Sequence, residues 1–299
     1  MSATHGSGRS RDAVCGFIKN RIDRSVGILA VLLTFCQSLE RWSKVKNFRI
    51  PALILFLLLM TFTGQVLAQS TIFNIPTTDT VAKGKVYAEF DFEPQVPGTD
   101  VSRTYFYNPR LVVGVPGRVE IGVNFPTYNT RGSGASETNV YFQPNVKWRV
   151  YDNETAGVAI AVGALLNTPL NNRDVQGSWG LLYSLVSEKI KAGDYSPRFH
   201  GGFYGVVGAN QDPSNGPVSF LGPRAGSIVG YEQPISKKVS IVADWFSGKN
   251  NIGYFTPGIS VTLPKNGLLN AGYSIGNDSW ANGDATRNRY IFLYYGITL

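Results

Sequence analysis

The chain has 299 residues, 43% of them hydrophobic, two Cys and a formal charge of +8, enough for one sizeable core. Such a basic balance ordinarily points to nucleic acid, but nine Lys/Arg and only three acids fall in residues 1–68, so the remainder is near +2 and nucleic acid is excluded as a partner. Both cysteines, Cys15 and Cys36, also lie in that first segment, which leaves a downstream fold built without disulfides and suited to an oxidising compartment.

Residues 1–43 are basic, polar and unpatterned apart from a short apolar patch at Val26–Phe35, and read as a long leader or a misassigned translation start. Residues 44–68 have the layout of a secretory signal: a positive flank (Lys44, Lys46, Arg49), an apolar run from Ile50 to Phe62, and Gly64-Gln65-Val66-Leu67-Ala68. The apolar run is too short for a spanning helix. Cleavage is expected between Ala68 and Gln69, leaving residues 69–299 as the mature domain.

From there the chain alternates apolar and polar residues in blocks separated by Gly, Asn, Asp, Pro and Ser. Lys85–Glu93 sets Val86, Ala88, Phe90 and Phe92 against Tyr87, Glu89, Asp91 and Glu93. Arg118–Phe125 sets Val119, Ile121 and Val123 against Glu120 and Asn124. The longest block, Glu137–Val150, places Val140, Phe142, Val146 and Trp148 on one face and Asn139, Tyr141, Gln143, Asn145, Lys147 and Arg149 on the other.

About twelve such strands are expected, near 84–93, 102–114, 118–126, 136–150, 154–166, 177–189, 196–208, 219–231, 237–247, 252–262, 267–275 and 287–299. Many reach the ~9–11 residues of a tilted membrane-spanning strand. Their connections vary in a rhythm: tight at Pro116-Gly117, Tyr151–Asn153 and Pro264–Asn266, long at Gln95–Val101, Pro126–Ala135, Asn167–Gln176, Ala209–Pro217 and Gly276–Thr286, and moderate elsewhere. Short turns on one side, longer loops on the other and an even strand number predict an all-β, antiparallel, up-and-down transmembrane β-barrel with both termini in the periplasm. Aromatics near strand ends (Tyr105, Tyr107, Tyr128, Trp148, Tyr151, Tyr195, Trp245, Tyr254, Tyr295) are expected to form girdles at the lipid interfaces.

Phe73-Asn74-Ile75-Pro76-Thr77, Val81–Lys85, Arg110–Gly114 and Glu120–Pro126 resemble, in layout, bacterial outer-membrane proteins of the phenol meta-pathway transporter-like barrel group. The terminal strand, with Ile291, Leu293, Tyr295, Ile297 and Leu299 on one face, resembles the signal read by the barrel-assembly machinery, although it ends in Leu rather than Phe. The expected partners are therefore outer-membrane lipid, that machinery, and a small polar solute. The expected activity is channel-like passage of small solutes, with a non-conducting structural or surface-interaction barrel as the alternative.

If the apolar faces meet lipid, the pore is lined by Glu89, Asp91, Arg110, Glu120, Asn124, Asn139, Tyr141, Gln143, Asn145, Lys147, Arg149, Arg198, His200, Tyr204, Arg224 and Asp244. The acids on one side and the bases on the other predict a transverse field through a narrow or partly plugged lumen. Enzymatic chemistry is not expected. His200, the one histidine after residue 68, rules out a multi-histidine metal cluster, and its pairing with Ser184 or Ser187 lacks a recognisable catalytic signature. Asp278, Asn282 and Asp284 are weak candidates for calcium, since such residues also serve turns. No cofactor is expected.

Overall fold

The computed structural model describes residues 70–96, 103–132, 136–278 and 288–299. The expected leader, signal segment and cleavage site lie outside these residues. The alternating blocks form β1 (Val86–Pro94), β2 (Arg103–Val115), β3 (Val119–Asn124), β4 (Thr127–Arg131), β5 (Ser136–Asn153), β6 (Val158–Pro169) and β7 (Trp179–Lys189). They continue with β8 (Arg198–Val207), β9 (Ala225–Pro234), β10 (Val239–Phe246), β11 (Tyr254–Leu263), β12 (Gly267–Gly276) and β13 (Arg289–Thr298).

Apart from β3 and β4, each strand pairs antiparallel with its sequence neighbours, and β1 pairs with both β2 and β13, closing the sheet on itself. Closure leaves no open edge, the arrangement that satisfies every wall strand in lipid. Although thirteen segments are separated, β3 and β4 are two halves of one barrel strand. Both lie between β2 and β5, and their register runs through the break, from Arg110↔Asn124 to Tyr107↔Thr127. The wall is therefore a closed twelve-strand barrel. The expected long loop over Pro126–Ala135 is in part this second half-strand, and the eighth expected strand, 219–231, is shifted to Ala225–Pro234 because residues 208–224 fold as a loop with a short 3-10 turn at Pro213–Asn215.

Proline explains the break. Pro109 in β2 accepts at its carbonyl from Phe125 N at 3.0 Å but has no N–H to return, and Thr127 Oγ1 donates to the Phe125 carbonyl instead, at 3.2 Å. Pro126 likewise accepts from Tyr141 N at 2.9 Å and gives nothing back. Pro144 in β5 sits where the pairing to β6 lapses between Phe142↔Thr168 and Asn145↔Leu165. Missing ladder bonds thus step across three successive strand seams.

The two faces of the wall differ as the alternation requires. Phe90, Leu111, Ile121, Trp148, Ile160, Leu182, Phe203, Val229, Ile241, Ile259, Leu269 and Leu293, one from each barrel strand, are all exposed on the outside. A soluble monomer rarely carries an exposed apolar patch beyond a few hundred Å², whereas a belt around every strand is the lipid-facing surface of a membrane barrel. Trp148, Tyr151, Tyr195, Trp245 and Tyr295 belong to the exposed surface, but Tyr128 and Tyr254 do not fit the expected girdle: their side chains line an internal cavity.

The core lies inside the barrel. On one side of the lumen the inward positions are apolar, with Trp179, Leu181, Leu185, Val206, Ile228, Val242, Phe246 and Phe292 packed together. Phe220, from the loop between β8 and β9, completes this cluster edge-on to Trp179, with ring centroids 5.0 Å apart.

Candidate functional site: a lumen filled by a hairpin

The lumen is occupied by the chain's own residues ahead of β1. Ser70–Thr77 form a tight antiparallel hairpin: Thr71 bridges Pro76, Ile72 N donates to Ile75 O at 3.0 Å, and Thr77 N donates to Ser70 O at 2.9 Å. At its tip the backbone N–H groups of Phe73, Asn74 and Ile75 converge on a single oxygen, Asp244 Oδ2, at 2.9, 2.6 and 2.9 Å. Successive N–H groups turned to one side make an anion-binding concavity, and here the anion is a carboxylate carried by β10. Asn74 Nδ2 adds a bond to Thr256 Oγ1 at 2.8 Å.

Apolar contacts seat the same tip. Ile72 and Ile75 are fully buried, and the Phe73 ring lies against Phe292 at 5.2 Å between centroids. Gly258 and Gly272 face each other across β11 and β12, and a Cβ on either would lie 2.5 or 2.7 Å from Phe73 Cζ. Their missing side chains make the recess for the ring, a close approach that only glycine permits.

The hairpin's stem is held by the basic side of the lumen. Lys147 Nζ donates to Ser70 O and Oγ at 3.0 and 2.9 Å and pairs with Glu120 at 2.9 Å, while Ser70 Oγ donates to Glu120 at 2.6 Å. Arg110 pairs with Glu89 at 2.5 Å and donates to Thr71 Oγ1 at 3.2 Å. Below the hairpin, toward the short-turn end, Asp79 takes Arg149 at 2.6 Å and Arg198 on both of its oxygens. Burial pushes the Asp79 carboxyl up, but Arg198 first and Arg149 after it outweigh that cost and hold it below the ordinary carboxylate value.

Most of the expected lining residues face this interior. Glu89, Asp91, Glu120, Asn124, Lys147, His200, Tyr204 and Asp244 are buried there. Asn124, Gln143 and Asn145 form a chain of amides, with Asn124 Nδ2 donating to Gln143 Oε1 at 2.7 Å and Asn145 Nδ2 to Asn124 Oδ1 at 3.2 Å. Tyr141 and Asn139 lie toward the loop end and bind residues of the β6–β7 connection, Gln176 at 3.0 Å and Asn172 at 2.7 Å. Tyr204 donates to the Ser247 carbonyl at 2.6 Å.

Two expectations need correction, for Arg224 and for the transverse field. Arg224 is exposed and precedes β9, so it does not line the lumen. The transverse field is largely absent, because the acids and bases are cross-paired: Glu89 with Arg110, Glu120 with Lys147, and Arg149 and Arg198 with Asp79 of the chain segment inside. Pairing is what a low-dielectric interior demands of buried charge. His200 meets neither serine as a nucleophile's base. Its Nε2 is 2.6 Å from Glu232, Ser187 is engaged with Thr78 at 2.5 Å, and Ser184 is exposed on the opposite face of the wall. Asp278 accepts from Asn288 at 2.7 Å, while Asn282 and Asp284 lie outside the described residues. Among the described residues no group of three His, Cys, Asp or Glu is placed to hold a metal ion.

The pattern reading missed the apolar half of the lumen and the hairpin itself. Above the hairpin, on the side of the longer loops, it leaves a cavity of about 240 Å³ lined by Asp91, Glu93, Phe106, Asn108, Tyr128, Tyr254, Tyr290 and neighbours.

No protein-family model and no curated protein matches the chain. Among solved structures it is similar to an outer membrane channel from Pseudomonas putida F1, at 12% identity and a TM-score of 0.49, over 74% of this chain and 98% of that one. It is also similar to the translocator domain of the autotransporter NalP from Neisseria meningitidis, at 12% identity and a TM-score of 0.36, over 71% of this chain and 87% of that one. With a closed antiparallel wall, an apolar belt around every strand and its charge gathered inside, the chain is an outer-membrane β-barrel protein.

Proposed function

We propose that this barrel is a gated channel for small polar solutes, closed by the Ser70–Thr77 hairpin and opened when the hairpin leaves the lumen. The observation that carries this is the way the lumen is filled. The hairpin is not a strand of the wall; it is a separate element held by side chains that the wall strands project inward. A wall that closes without it stays closed when it moves.

The polar half of the lumen supplies the path. With the hairpin withdrawn, Arg110, Asn124, Asn145, Lys147 and Arg149 would form one hydrated surface along adjacent strands, suited to exchanging a solute's water for side-chain hydrogen bonds. The short-turn end, which carries Val86 and Thr298, is assigned to the periplasm, because short turns there and longer loops outside are the usual arrangement of such barrels. The outward apolar face of β13, with Ile291, Leu293 and Tyr295, is the surface offered to the assembly machinery.

Planar-bilayer recording tests the proposal. The wild-type barrel should show small or rare conductance steps, and a variant lacking residues 70–79 should show large and stable ones. Folded, heat-modifiable barrels that conduct in neither form would overturn it and leave the non-conducting scaffold.

A further inference from the structure

The cavity above the hairpin gathers two carboxyl groups that form no ion pair among the described residues, Asp91 and Glu93. Asp91 and Glu93 project from β1 on the inward face, opposite Asn108 and Phe106 of β2. Asp91 is 3% exposed and Asn108 8%. Asn108 Nδ2 donates to Asp91 Oδ2 at 2.8 Å, and the other oxygen of each group, Asp91 Oδ1 and Asn108 Oδ1, meets no donor among the described residues. Glu93 has no hydrogen-bond or ion-pair partner among the described residues, and the nearest lumen guanidinium, Arg110, is committed to Glu89 and Thr71.

Two buried acceptors without donors are costly, and in native interiors such groups call for an explanation. These two acceptors, beside the second carboxyl of Glu93, suit a ligand that donates hydrogen bonds and carries positive charge, since Arg110 and Lys147, which border the same cavity, are each bonded to other groups. Aromatic rings wall the same space: Phe106 and Tyr128 lie 4.8 Å apart between centroids, and Tyr254 and Tyr290 lie 6.1 Å apart. Ring faces attract cations and shield alkyl groups from water. Two carboxylates and one amide are too few for a dedicated metal cage.

We infer that this cavity is a binding site for a small organic ammonium ion, whose N–H groups bond to Asp91 Oδ1, Asn108 Oδ1 and Glu93 while its alkyl part packs on Tyr128, Tyr254 and Tyr290. The volume of about 240 Å³ admits a chain of a few carbons. The inference is independent of conduction, since a scaffold that never opens would bind the same ion.

Isothermal titration of the full barrel in detergent with butylammonium chloride tests it, with 1-butanol and sodium butyrate as neutral and anionic analogues. Saturable binding of butylammonium at one site, with neither analogue binding, is expected. Asp91→Asn and Glu93→Gln should each weaken it about ten- to hundredfold, the range for losing one charged hydrogen-bond partner. Tyr290→Leu, which keeps the carboxylates, should weaken it by about two- to fivefold. Heat-modifiability checks that each variant is folded. Butanol binding as well as butylammonium, potassium displacing it at equal concentration, or binding unchanged in both carboxylate variants would each overturn the inference.

Discussion

Replacing Asp244 with Asn is the sharpest way to separate the hairpin from the wall. The side chain keeps its size, but its oxygen loses the charge that three backbone N–H groups share at 2.9, 2.6 and 2.9 Å. Hydrogen bonds to a charged group contribute about 1.5–3 kcal/mol and neutral ones about 0.5–1.5, so the substitution costs about 1 kcal/mol per bond and about 3 kcal/mol in all. At about 1.4 kcal/mol per decade, the balance between seated and withdrawn hairpin moves by roughly a hundredfold. In planar bilayers the open fraction of Asp244→Asn should rise by that order, saturating where the hairpin is mostly out, with a single-channel amplitude equal to that of the variant lacking residues 70–79. The wall should be unaffected, because Asp244 points inward and the β10 ladder to β9 and β11 is made by backbone. An unchanged open fraction in a folded Asp244→Asn barrel would refute the role of this carboxylate as the hairpin's anchor.

Gly272→Val should act on the same equilibrium from the apolar side, since its side chain would occupy the recess of Phe73, and it should raise the open fraction where Gly205→Ala, with open space for its Cβ, does not. Lys147→Met leaves Glu120 buried without its cation and should cost about 3–5 kcal/mol, read as a lower urea midpoint for unfolding from lipid vesicles. Phe203→Arg places a charge in the middle of the outer belt and should cost about 2–4 kcal/mol in the same assay, whereas a charge on a loop such as Ser214→Arg should cost little. Asp79 has its carboxyl held below the ordinary value, so its contribution to seating is complete above about pH 4 and is lost as pH falls through the depressed value. The open fraction should therefore climb on acidification, and Asp79→Asn should be more open at neutral pH with a smaller acid-dependent rise.

The wall was legible because alternation at a period of two is enforced twice here, by lipid outside and by packing inside. Glu89 and Asp91, or Lys147 and Arg149, cannot reach the lipid face without reversing a whole strand. The lining was legible only where it is polar. Leu181, Leu185, Ile228 and Val242 also point inward, and they break the rule that apolar means outward, because an occupied lumen is a packed interior rather than a water-filled one. The hairpin was illegible for a different reason. Ser70–Thr77 is too short to span and has no alternating face, and its order comes from Asp244, Lys147, Asn270 and Arg110, contacts 39 to 198 residues away. Its one local trace is Phe73 and Ile75 set among polar residues ahead of the first strand. Arg224 was misplaced because the glycines and prolines of residues 216–226 hide where the loop ends and β9 begins.

The three prolines also decide how this cylinder deforms. Pro109, Pro126 and Pro144 remove ladder bonds at consecutive seams, so the gaps line up obliquely across the wall like a crease in a rolled sheet. A hoop of evenly bonded strands resists ovalisation equally in every direction, whereas a creased one flattens about its crease. Asn124 and Pro126 on that line also border the internal cavity. Bending about the crease would therefore change the cavity's cross-section before any strand left the sheet.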